Sequence, residues 1–223
     1  MRTKTNHGTV YLDGVRSVEY LVSAMRPGDQ ALTVPATPRW NVRQLLSHIA
    51  GVASDTVEGR VIVEPGSRWT QRHVDERAKR PVSVLLAEIQ ERALELASML
   101  EELRGPSPAW DIRVHGYDLR EALGLAGEQR SSWQDVAHGT VQLYNRREDA
   151  AGELRVDGLT VTLQRGGETL LSVGLYEFFR GVFSRRTRAQ LREWEWIDGV
   201  PDTTIDGIPF FFGPRTDAQP RLS

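Results

Sequence analysis

Apolar residues recur every three or four positions over most of the first half of the chain, and alternate with a period of two in a short stretch beyond it. Val15, Val18, Val22 and Met25 define a first helix, for which Asp13 is the predicted cap and Arg26-Pro27-Gly28 the stop. After the Pro35/Pro38 loop, Asn41 and Gln44 have the spacing of a capping box and open a second helix. Leu45, His48, Ile49 and Val52 lie on one face of it, and it runs towards Val61 with Gly51 and Gly59 weakening it. No helix is predicted in the polar stretch around Pro65 to Arg80. Pro81 suits the start of the clearest helix, with Leu85, Ile89, Ala93, Leu96, Leu100 and Leu103 in register before Gly105-Pro106. A fourth, shorter helix runs from about Trp110 to Leu123, with Gly124 placed to cap its end.

The last third changes character. Ser131 and Ser132 are predicted to cap a helix through Tyr144, and Leu154/Val156 then alternate with Leu159/Val161/Leu163 around Asp157-Gly158, a strong hairpin signal. Gly166-Gly167 offers a second turn into Thr169–Val173. An aromatic helix over Leu175–Phe183, an arginine-rich helix around Thr187–Trp194 and an irregular tail follow. The fold class predicted is mainly α: a helical bundle over residues 1–128, with a small α+β appendage over residues 129–223. The connections after the first two helices are long for a simple up-and-down bundle.

Composition narrows the chemistry. A formal net charge of −2 gives no global field for nucleic acid or an anionic membrane. No apolar run approaches a membrane span, and the polar amino terminus leads into no apolar signal core, so a cytoplasmic location is expected. Lys4 and Lys79 are the only lysines, an arginine bias that resembles the coding habit of GC-rich bacteria. The chain has no cysteine, which removes disulfides, thiolate ligands and a cysteine nucleophile together. Thiol chemistry here would need a bound small molecule.

The informative spacing is on the fourth predicted helix. Asp111 and His115 are four apart and share one face, so they can grip one cation from a rigid element. His48, on the apolar stripe of the second helix, faces the bundle interior and is the third candidate. Two nitrogens and one carboxylate leave a coordination position open, the layout of catalytic zinc sites. Spacing alone leaves the alternative of a hydrogen-bonded core histidine and a surface ion pair. Asp118 either accepts the proton of the other His115 ring nitrogen or pairs with Arg43 or Arg120. Trp40 and Trp110 are expected in packing roles, His138 on the surface, and His7 and His73 carry no signal. Arg180, Arg185, Arg186, Arg188 and Arg192 read as a solvated face balanced by Glu177, Glu193 and Glu195.

The segment Trp40-Asn-Val-Arg-Gln-Leu-Leu-Ser-His48-Ile-Ala-Gly51, followed by Asp111-Ile-Arg-Val-His115-Gly-Tyr-Asp118-Leu-Arg-Glu-Ala-Leu-Gly124, resembles the amino-terminal domain of the mycothiol-dependent maleylpyruvate isomerase family. That family lies within the DinB-like superfamily of metal-binding four-helix bundles. Trp69-Thr-Gln-Arg-His-Val-Asp-Glu-Arg77, Tyr176-Glu-Phe-Phe-Arg180, Arg185-Arg-Thr-Arg-Ala-Gln190 and Pro209-Phe-Phe-Phe212 are similar to its actinobacterial members. The resemblance implies a divalent metal, zinc, on His48, Asp111 and His115, with mycothiol as co-substrate. It also implies glutamate in the characterised isomerases where this chain has Asp111. The function it predicts is thiol transfer to, or isomerisation of, an electrophilic small molecule, by a monomer or homodimer without nucleic-acid or membrane partners. A non-catalytic metal- or ligand-binding bundle and a metal-assisted hydrolase are the alternatives.

Overall fold

The computed structural model describes residues 6–61, 67–103, 105–125 and 133–215. Contacts divide these into two compact units, one reaching Leu125 and the other starting at Trp133. The chain is mainly α, with a small antiparallel sheet confined to the second unit.

In the first unit, α1 (His7–Ser23), α2 (Val42–Val57), α4 (Val82–Leu100) and α5 (Pro108–Leu123) form a four-helix bundle, with α3 (Ser67–Glu76) laid against α2. Cross-helix contacts fix the directions. His7 meets Ser107 and Ser17 meets Arg120, so α1 and α5 run parallel. Ser54 meets Glu88 and Glu58 meets Arg92, so α2 and α4 do too. Parallel neighbours need a long return connection, which is why the chain between α2 and α4 is long enough to carry α3. The core is the apolar stripe of these helices: Val18, Leu45, Leu46, Ile49, Leu85, Ile89, Leu96, Leu100 and Ile112 are all buried.

Asn41 and Gln44 make the capping box, each side chain bonded to the other's backbone N–H, and Gly124 ends α5 in the left-handed conformation. Three expectations are corrected. Helix α1 starts at His7 under an Asn6 cap, so Asp13 lies inside it and pairs with Arg16. Its first turns hold Gly8, where a Cβ would come within 2.4 Å of the Ala97 carbonyl. Glycine there reflects close helix approach rather than a helix stop. Helix α2 ends at Val57, short of Val61, with Gly59 at φ 67°. The polar stretch before Arg80 contains α3, whose buried side chains Trp69, His73 and Val74 keep helical spacing, with the buried Arg77 continuing the stripe just past its end.

The second unit opens with α6 (Trp133–Tyr144); the Ser131 and Ser132 caps lie outside the described residues. Strands β1 (Glu153–Asp157), β2 (Thr160–Arg165), β3 (Glu168–Gly174) and β4 (Glu195–Trp196) pair in that order, all antiparallel. Gly166 and Gly167 both have positive φ and join β2 to β3, as two-residue hairpin turns require. Leu159 belongs to the Gly158 turn and is exposed, not part of the alternating strand. Helices α7 (Leu175–Val182), α8 (Arg188–Arg192) and α9 (Asp202–Asp206) complete the unit, so the irregular tail holds a strand and a helix. The arginine cluster is not a solvated face: Arg180, Arg185 and Arg186 are buried, and Arg186 is held by the Glu177 carboxylate. Arg188 and Arg192 pair with Asp206 and Asp202 at the surface.

Candidate metal centre

The bundle brings His48 of α2 and Asp111 and His115 of α5 together. One ligand atom from each lies within 4.8 Å of the others. Asp111 Oδ1 is 3.6 Å from His48 Nε2 and 3.4 Å from His115 Nε2. The two imidazoles meet edge to face with centroids 5.0 Å apart. The His48 and His115 side chains are 4% and 10% exposed, whereas Asp111 is 31% exposed and forms the open side of the cluster.

The other ring nitrogens are already engaged. His115 Nδ1 lies 2.9 Å from Asp118 Oδ2, so the fully buried Asp118 carboxylate holds the proton there. Arg43, one of the alternative partners for Asp118, donates to the Arg77 carbonyl. His48 Nδ1 lies 3.2 Å from His73 Nδ1, and His73 Nε2 lies 2.9 Å from Asp55 Oδ2. An Asp55 carboxylate can only accept, so His73 donates to it from Nε2, accepts a hydrogen bond from His48 Nδ1–H at its own Nδ1, and leaves His48 Nε2 as a lone pair.

His73 is the residue that sequence reasoning missed, and its slot is cut by Gly51. A Cβ at position 51 would sit 2.3 Å from the His73 ring, so the glycine that weakens α2 admits the imidazole against the helix backbone. Asp55 is fully buried and accepts further bonds from Trp69 Nε1, Arg60 and Arg72. Burial pushes the Asp55 carboxyl up, but these donors and His73 outweigh it and hold it below the usual range. Burial pulls His73 below its ordinary value despite Asp55. Trp40 and Trp69 flank His48, at centroid distances of 5.3 and 6.4 Å. Trp110 packs on His7, which is buried and bonded to Ser107. His138 is half-buried on α6.

Asp111 and His115 stabilise each other's charge. Burial opposes both charged forms, yet the two histidines draw the Asp111 carboxyl far below its usual range, and Asp111 with Asp118 lifts His115 to about 9. The donor set fits a divalent ion. Ligands about 2.0–2.1 Å from a tetrahedral zinc stand about 3.4 Å apart, close to the two separations between Asp111 and the imidazoles. Mixed imidazole and carboxylate donors suit borderline divalent ions. A separate polar groove of about 810 Å³, lined by Arg77, Arg80 and Glu88 among others, includes none of His48, Asp111 and His115.

Such a bundle, with two oriented imidazoles and a carboxylate converging inside it, makes this a helical protein with a candidate metal site. The sequence pattern of the mycothiol maleylpyruvate isomerase N-terminal domain matches residues 12–130, and the chain belongs to that family. Neither the curated proteins nor the solved structures contain a match. Among the described residues, no helix is long and apolar enough to cross a membrane.

Proposed function

We propose that this chain is a cytoplasmic metal-dependent enzyme that uses a low-molecular-weight thiol, mycothiol by family, for transfer to or isomerisation of an electrophilic small molecule. His48 Nε2, Asp111 Oδ1 and His115 Nε2 would hold a divalent ion, zinc by resemblance. When bound, the ion would favour thiolate over thiol, supplying the nucleophile that a cysteine-free chain lacks.

One observation carries the reading: both imidazoles have Nδ1 within hydrogen-bond distance of a partner inside the fold, and both Nε2 atoms turn towards the same carboxylate oxygen. The chain's own residues do the rest. Asp118 and the His73–Asp55 pair fix ring orientation. Trp40 and Trp69 shield the His48 side from water. The partly exposed edge of Asp111 leaves an approach for the thiol and its substrate.

The test is elemental analysis of purified protein beside His115→Ala, after dialysis without chelator, followed by calorimetry of the metal-loaded protein with thiol. One equivalent of metal that is lost in the variant, and thiol binding by the loaded protein, are expected. Protein that rebinds no zinc, nickel or manganese would return the histidines to the core. Loaded protein that binds no thiol would leave a metal-binding bundle without this chemistry.

A further inference from the structure

Tyr11 is 2% exposed in α1, and its hydroxyl is buried with no hydrogen-bond partner among the described residues. Unpaired buried hydroxyls are costly, and phenylalanine would fill nearly the same space without that cost. Among the described residues nothing gives this oxygen a role that phenylalanine would not fill. Contacts between the parallel helices set its height. His7 packs on Trp110, with ring centroids 6.2 Å apart, and Gly14 backs onto Ile112 and Arg113. Tyr11 lies between them, level with Asp111. A phenol keeps its proton at neutral pH, so the hydroxyl is available as a donor.

We propose that Tyr11 donates a hydrogen bond to an oxygen atom of the small molecule bound at the His48, Asp111 and His115 centre, so that the electrophile carries a carbonyl or carboxylate oxygen. This inference rests on the metal reading above. Sulfur is a weak acceptor, so the phenol distinguishes an oxygen-bearing ligand from a thiol.

The experiment compares wild-type and Tyr11→Phe proteins loaded with cobalt(II), titrated with acetohydroxamate and separately with 2-mercaptoethanol, and followed by visible absorption. Equal cobalt binding, about tenfold weaker acetohydroxamate binding in the variant and unchanged mercaptoethanol binding are expected, the tenfold loss corresponding to about 1.4 kcal/mol. The metal-free variant should also melt at or above the wild-type temperature, because an unpaired hydroxyl has been removed. Unchanged acetohydroxamate affinity, an equal loss for both probes, or a lower melting temperature would overturn the inference while leaving the metal centre standing. A wild-type protein that binds no cobalt would overturn both.

Discussion

His73 stands directly behind His48, Nδ1 to Nδ1 at 3.2 Å, with its other ring nitrogen 2.9 Å from the buried Asp55 carboxylate. Replacing it with phenylalanine keeps the bulk of the ring and removes the acceptor for the His48 proton. Metal affinity should fall about 10- to 100-fold, the usual effect of losing such a support. Competition with a chromogenic chelator measures this, and unchanged helical circular dichroism would assign the loss to the site.

Gly51→Ala tests the same relationship from the other side. The added methyl would overlap the His73 ring, and that ring is boxed in by Trp69 and Asp55. A stability loss of about 1–3 kcal/mol is expected in urea unfolding, together with weaker metal binding. A variant as stable as wild type would mean that His73 can move away freely.

Asp111→Asn keeps the shape of the carboxylate and removes its charge, so the protein should purify without metal. Asp111→Glu supplies the longer acid that the family resemblance implies and should retain metal, because the acid lies on the open side of the cluster. Elemental analysis of the two variants side by side checks both expectations.

Glu88 provides a pH test away from the centre. Burial pushes its carboxyl up, but hydrogen bonds from Arg77 and Ser54 and the Arg77 and Arg80 charges outweigh this and hold it below its ordinary value. A depressed folded-state pKa means that the carboxylate stabilises the fold above the unfolded-state pKa of about 4.3, and that this stability is lost as pH falls through the folded-state value. Glu88→Gln should therefore cost about 1–3 kcal/mol at pH 7, with the difference shrinking below about pH 4. Urea melts across that range provide the measurement; a pH-independent difference would assign the loss to packing.

The bundle helices with continuous apolar stripes, α2, α4 and α5, were readable from periodicity, and so was the Asp111/His115 pair, because i, i+4 spacing is local. Helix α3 was not. Its inward face holds His73, and Arg77 follows just past its end; both are polar side chains that become interior only because Asp55 and Glu88 wait on other helices. The Arg186–Glu177 pair follows the same rule: charge along the chain reads as surface until the fold supplies its partner. The start of α1 was hidden for another reason, since Gly8 and Gly14 resemble helix breakers in sequence while serving as contact surfaces for Ala97 and Ile112.

The unequal exposure of the three candidate ligands has a kinetic consequence. The two imidazoles are clamped from behind, while the carboxylate keeps one edge at the solvent boundary. For an ion held among them, loading and release would require the swing of a single short side chain, with the helices and both rings left in place. Such a centre would exchange its ion without opening the bundle, so a brief chelator treatment should strip it, and added metal reload it, in a protein that never unfolds.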